Sequence, residues 1–162
     1  MVQYVGVENL VRLVRHVGIK TFLQELAGYI EDDFRRWPEF EKVSRIASHS
    51  SDGVIELMPT ADGVLYGFKY VNGHPKNTRE GLQTVTAFGV LSDVNTGYPL
   101  LLSEMTLLTA LRTAATPAVA PRHLARSGSR VMATLGLCAQ SEFQATAFQA
   151  LLGVTQLRVY DV

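Results

Sequence analysis

Arg45, Lys69 and Arg112 stand in stretches otherwise poor in charge: Lys69 inside an aromatic run, Arg112 among small and apolar residues. A cation in such a setting either runs its stem along apolar surface to reach water or holds an anion. Converging, these groups would grip a carboxylate, with each guanidinium offering two parallel donors. Glu56 lies between Ile55 and Leu57. It reads either as a solvent-facing strand residue or as a partner for a substrate ammonium group. His49 and His74 are acid–base candidates by residue type alone and stay unassigned. No nucleophile elbow is present, and no His/Cys/Asp cluster has metal spacing.

A second signature lies near the end of the chain. The short apolar run Arg130 to Leu135 leads into Gly136-Leu137-Cys138-Ala139-Gln140-Ser141, then a helical stretch, then Leu157 to Tyr160 and Asp161. Strand, glycine turn, helix, strand and acid form the opening of a dinucleotide-binding unit. Its three fingerprint positions hold Gly136, Cys138 and Ser141, and Asp161 follows Ser141 by 20 residues, where a ribose-binding acid belongs. Helix amides near Ala139 and Gln140 would meet a pyrophosphate. The alternative is a plain βα turn, with Asp161 a strand-end residue. Cys138 puts a Cβ and a sulfur where backbone should approach phosphate, so weaker NAD binding than glycine would give is expected. A buried structural cysteine is the other reading.

The elements that must position these groups follow from periodicity. Leu10, Val11, Val14 and Val17 predict a first helix ended by Gly18. Phe22, Leu26, Ile30 and Phe34 predict the apolar stripe of a second, stopped by Pro38. Residues 43 to 104 read as strands with tight turns at Asp52-Gly53, Asp62-Gly63 and Asn95-Thr96-Gly97. Within Val64 to Val71, Tyr66, Phe68 and Tyr70 alternate with Leu65, Gly67 and Lys69. Asn72-Gly73-His74-Pro75 reads as a loop and Thr84 to Val94 as a strand, giving a mostly antiparallel or mixed sheet. Ser103 to Arg126 reads as helix, with a break or kink expected at Pro117 and Pro121. Phe143, Ala147 and Leu151 mark a last helix closed by Gly153. The fold class is therefore α/β: a mixed-sheet domain over residues 1–126, then the strand-helix-strand start of a Rossmann domain over 127–162.

Composition removes other classes. With 15 basic and 15 acidic side chains there is no bulk attraction to nucleic acid or anionic membrane, so neither is an expected partner. Hydrophobic residues at 47% with 19% charged argue against disorder. No signal peptide or membrane span is read. A single cysteine suits a reducing, cytoplasmic setting.

Longer blocks carry a family resemblance. Glu56-Leu57-Met58-Pro59-Thr60-Ala61-Asp62, Tyr66 through Pro75, Gly81 through Phe88, Leu102 through Thr106, Leu111 through Ala115, and Gly136 through Gln140 together resemble the ornithine cyclodeaminase/μ-crystallin family. The likeness runs from Tyr4 to Asp161. It implies an NAD-dependent enzyme turning L-ornithine into L-proline and ammonia, and a homodimer formed through the first domain's sheet. Arg45, Lys69 and Arg112 would hold the substrate carboxylate, with Glu56 near its amines. Thr84, Arg112, Gly136, Ala139, Gln140 and Asp161 would meet the cofactor. The family's acid–base aspartate and further NAD contacts are expected beyond Val162. No catalytic acid–base residue is therefore assigned in this chain, which alone is expected to be inactive and hard to keep soluble. A non-catalytic, crystallin-like dimer and an imine reductase or amino-acid dehydrogenase of the same family remain as alternatives.

Overall fold

The computed structural model describes residues 1–162. Its contacts gather into two compact units, Met1–Leu10 with Arg36–Leu107, and Val11–Arg35 with Leu108–Val162. The first is built on a seven-stranded sheet in the order β1-β7-β6-β5-β4-β2, with β3 also on β4. Its strands are β1 (Gln3–Val5), β2 (Glu41–Lys42), β3 (Ile46–His49), β4 (Val54–Ala61), β5 (Leu65–Gly73), β6 (Ala87–Asp93) and β7 (Pro99–Glu104). β1 runs parallel to β7 and every other pair is antiparallel, so the sheet is mixed, as the turn spacing predicts. The strand β1 was not expected, since three residues ahead of a helix are too few to show a period.

Register sorts the sheet into two faces. Glu56 pairs with Val71, Met58 with Lys69, Lys69 with Gly89, and Gly89 with Ser103. Val71, Ala87 and Gly89 on this face are buried. The other face carries Leu57, Tyr70, Phe88, Phe68 and Val90. There Tyr70 stacks on Phe88 at 5.0 Å between ring centroids, and Phe68 meets Phe88 edge-on at 6.5 Å. This second face stays half open, with Tyr66 and Phe88 39% and 43% exposed.

Pro59 explains how β4 is edged. The amide of Asp62 donates to the Leu65 carbonyl at 3.1 Å. Alternate residues back from Asp62 therefore turn their amides toward β5, and Pro59 points outward. On that outer side β2 ends opposite Thr60 and β3 begins opposite Leu57. The missing proline donor thus faces a gap in the ladder and leaves no bond unmade. Residues 43–45, which link β2 to β3, span this gap.

The second unit holds most of helix α1 (Val7–Val17), helix α2 (Ile19–Arg35), most of helix α3 (Thr106–Leu124), strands β8 (Val131–Leu135) and β9 (Gln156–Tyr160), and the intervening helix α4 (Gln140–Leu152). In α2 the buried residues are Leu23 and Ala27, one position on from the expected Phe22-to-Phe34 stripe. Phe22, Leu26 and Ile30 are half-buried beside them, and Phe34 is 54% exposed. α2 meets α4 closely enough for Gln24 Nε2 to donate to the Ala150 carbonyl at 3.0 Å. The expected break at Pro117 and Pro121 does not occur, and α3 runs through both. Pro117 is exposed while Leu111, Ala114, Ala115, Ala118 and Val119 are buried, so the proline ring sits off the packed face. Tertiary packing of the small-residue face then outweighs the lost hydrogen bonds.

Two stability outcomes follow. A Cβ on Gly89 would overlap the Met105 sulfur and lie 3.1 Å from the Phe68 carbonyl oxygen. Gly89→Ala is expected to lower unfolding stability by roughly 1–3 kcal/mol, and Met105→Ala added to it should restore part. Equal stability of Gly89→Ala and the parent in denaturant would contradict this packing. At the β4–β5 turn, amides of Leu65 and Val64 donate to Asp62 at 2.8 and 3.1 Å, and Arg36 approaches at 3.1 Å. These bonds hold the Asp62 carboxyl below its ordinary value of 3.8. A lowered folded value means stabilisation present above the ordinary value and lost as pH falls through the lowered one. The stability gap between parent and Asp62→Ala should therefore be constant near neutrality and shrink only in acid. A gap independent of pH would refute it.

Candidate functional site

The first cluster sits on the buried face of the sheet. Arg45 Nη1 donates to Glu56 Oε1 at 3.1 Å, with the Glu56 side chain 19% exposed and that of Arg45 61%. Arg45 directly precedes β3, whose first residue Ile46 pairs with Leu57, and the next residue of β4, Met58, is the cross-strand partner of Lys69. Arg45 reaches that face through its ion pair with Glu56. Glu56 lies on the same face, one pair along. Three of the four residues expected to touch a substrate are thereby brought to one surface by register. In this state Arg45 and Glu56 satisfy each other. A ligand with both a carboxylate and an ammonium offers each of them a partner of the same sign as the one it gives up. At such exposure the ion pair itself contributes little to stability, about 0–1 kcal/mol.

Thr84 belongs to the same unit but not to the expected strand Thr84 to Val94, because β6 starts at Ala87. Asn72 and Gly73, expected in a loop, complete β5 instead. Side chains take over where the ladder stops. Asn72 Oδ1 accepts from the Thr86 amide at 2.6 Å and from the Thr86 hydroxyl at 2.5 Å. The His74 amide donates to the Thr84 carbonyl at 2.8 Å. Neither Asn72 nor Asn77, whose Nδ2 donates to the Gln83 carbonyl at 2.9 Å, stood out in the sequence. Their only signal is position, next to the Lys69 strand and the Thr84 segment. Arg112 is on α3 in the second unit, on an exposed position.

The second cluster is the turn after β8. β8 and β9 run parallel, with Leu135 opposite Tyr160 and α4 as the crossover. Gly136 has φ +86°, a conformation open to glycine at little cost, and its amide donates to the Tyr160 carbonyl at 2.8 Å. That bond sets the glycine turn beside Asp161 at the carboxyl ends of two parallel strands, where open α/β sheets bind ligands. Ser141 Oγ donates back to the Gly136 carbonyl at 3.1 Å and closes the turn. Ala139 is the N-cap of α4 and Gln140 its first residue, so their amides have no intrahelical acceptor. Gln140 Oε1 is buried without a hydrogen-bond partner. Cys138 is exposed, not a buried structural cysteine. These features fit the pyrophosphate and ribose of a dinucleotide. A cavity of about 580 Å³ elsewhere in this unit, lined by Arg122, Arg126, Ser129, Met132 and Phe148 among others, includes none of Gly136, Ala139 or Asp161.

A mixed sheet followed by a parallel βαβ unit that opens on a glycine turn makes this an α/β protein. The sequence model of the ornithine cyclodeaminase/mu-crystallin family matches residues 7–162, and the chain belongs to that family. It is 68% identical over 162 residues to an ornithine cyclodeaminase of Brucella melitensis, covering all of this chain and 45% of that protein. It shares 28% identity and a TM-score of 0.90 with a lysine cyclodeaminase whose structure concerns recognition of L-lysine, L-ornithine and L-2,4-diaminobutyric acid, covering 99% of this chain and 49% of the other. An archaeal alanine dehydrogenase, solved as a dimer with bound NAD, gives 28% identity and a TM-score of 0.86 over 99% and 48%. The chain therefore spans about half the length of the relatives it matches. No helix is long and apolar enough to cross a membrane.

The turn generates one outcome. In the full-length protein, Cys138→Gly is expected to bind NAD more tightly, because backbone can then approach the phosphates. Unchanged affinity by calorimetry would mean that the sulfur lies clear of the cofactor.

Proposed function

We propose that the protein is an ornithine cyclodeaminase, converting L-ornithine to L-proline and ammonia with NAD used and regenerated in each turnover. The observation that carries this reading is the gathering of Arg45, Glu56 and Lys69 on one face of the sheet, in a chain 68% identical to an enzyme of that name. Residues 1–126 form the substrate and dimerisation domain and residues 127–162 begin the Rossmann domain. Arg45, Lys69 and Arg112 hold the α-carboxylate, which fixes Cα in one orientation, and orientation alone removes much of a bimolecular barrier. Glu56 faces the substrate amines. Thr84, Arg112, Gly136, Ala139, Gln140 and Asp161 hold the cofactor. Bound NAD would supply reversible hydride acceptance, so that the hydride removed from Cα on oxidation could be given back to the cyclic imine. Between those steps the δ-amine attacks the α-imine and the α-nitrogen leaves as ammonia.

The half-open aromatic face with Tyr66, Tyr70 and Phe88 supports a homodimer built through the first unit's sheet, and the dimeric alanine dehydrogenase is consistent with it. A single Cys138 and the absence of an intrachain disulfide suit the cytoplasm. The runner-up reading, an amino-acid dehydrogenase or imine reductase, is favoured by the structural likeness to alanine dehydrogenase.

Turnover of [2-²H]ornithine by the full-length protein separates the two. The proposal expects proline that keeps its deuterium, one ammonia per proline, and no net NADH. Net NADH with release of a keto acid, or turnover of alanine in preference to ornithine, would favour the dehydrogenase and overturn the proposal.

A further inference from the structure

We infer that Asn72 is a positioning residue for the cofactor, acting through Thr84; the inference rests on the proposed contact between Thr84 and NAD. The segment from Leu82 to Thr86 has no regular structure, yet it is anchored at four successive points by the end of β5 and the turn after it. The Leu82 amide donates to the Asn77 carbonyl at 3.0 Å, and Asn77 Nδ2 donates to the Gln83 carbonyl at 2.9 Å. The Thr84 carbonyl accepts from the His74 amide at 2.8 Å. Thr86 is bound by Asn72 through side chain and backbone both, the Asn72 amide donating to the Thr86 carbonyl at 3.1 Å. The Asn72 side chain is itself oriented. Its oxygen is committed to Thr86, and its Nδ2 donates to His74 Nδ1 at 3.3 Å, which requires the tautomer with the proton on Nε2.

This network treats two nearby threonines differently. The Thr86 hydroxyl is spent on Asn72 Oδ1. The half-buried Thr84 makes no side-chain hydrogen bond within the chain, while its backbone is fixed. An unengaged hydroxyl on a fixed stretch of backbone suits a ligand contact, since the backbone part of its ordering cost is met before binding. The same strand carries Lys69, three residues before Asn72. β5 therefore presents a substrate cation and, through Asn72, aims a cofactor contact, so the two are set by one rigid element.

The test uses the full-length protein, with NAD affinity by calorimetry and thermal unfolding in parallel. Asn72→Ala should raise the NAD dissociation constant about tenfold, the effect of one lost hydrogen-bond partner, with ornithine KM little changed. Amide hydrogen exchange at Thr84 to Thr86 should quicken while β5 stays protected. Asn72→Asp keeps the acceptor for Thr86 and should recover most of the affinity. Asn72→Ala added to Thr84→Val should weaken NAD no further than Thr84→Val alone. If Thr84→Val weakens NAD and Asn72→Ala does not, or if the two effects add, the positioning role is overturned and the Thr84 contact stands. If Thr84→Val leaves NAD affinity unchanged, the contact fails and the inference with it. An Asn72→Asp chain as weak as Asn72→Ala would also overturn it.

Discussion

The register between β4, β5 and β6 is the constraint on which the site depends. Met58 opposite Lys69 and Lys69 opposite Gly89 place the lysine on the buried face, the face that also carries Glu56 and its partner Arg45. A slip of one residue would send Lys69 to the aromatic face and bring Tyr70 inward, because side chains alternate with period two. The register is fixed from several directions at once. The Asp62 turn sets its start, the Tyr70–Phe88 stack holds one face, and the glycine at 89 admits Met105 on the other. Each of these would fail under a slip, so stability and ligand geometry are written into the same residues.

Arg45 reaches that face for a different reason. It lies in the three-residue link between β2 and β3, in line with the gap that Pro59 makes possible on the outer side of β4. A donor-bearing residue at 59 would leave an outward amide without a ladder partner. Proline removes that amide, so the chain can leave the edge and return to it. The guanidinium is then set against Glu56, and each of the pair is the other's partner.

Much of this was legible in the sequence. The Asp-Gly turns, the alternation around Lys69 and the strand–glycine–helix–strand–acid order at the end are short-range patterns, and the mixed sheet and the parallel βαβ unit bear them out. What was not legible depends on tertiary partners. β1 exists only because β7 offers it an edge. α2 buries Leu23 and Ala27 most deeply, with Phe22, Leu26 and Ile30 of the expected stripe half-buried beside them and Phe34 exposed. α3 passes two prolines because its alanine face is buried and Pro117 is not. Strand β6 begins three residues late because Asn72 supplies by side chain what the ladder would have supplied by backbone. In each case a local preference gives way to a contact from far along the chain.

The central claim is that the cations on the buried face grip an amino-acid carboxylate. Ornithine and 1,4-diaminobutane differ only in that group, so their affinities for the full-length protein with NAD bound compare it directly. Charge-assisted bonds of about 1.5–3 kcal/mol predict ornithine tighter by roughly 10- to 100-fold, and Lys69→Met should erase most of the difference. Equal binding of the two amines, or discrimination untouched by Lys69→Met, would contradict the account.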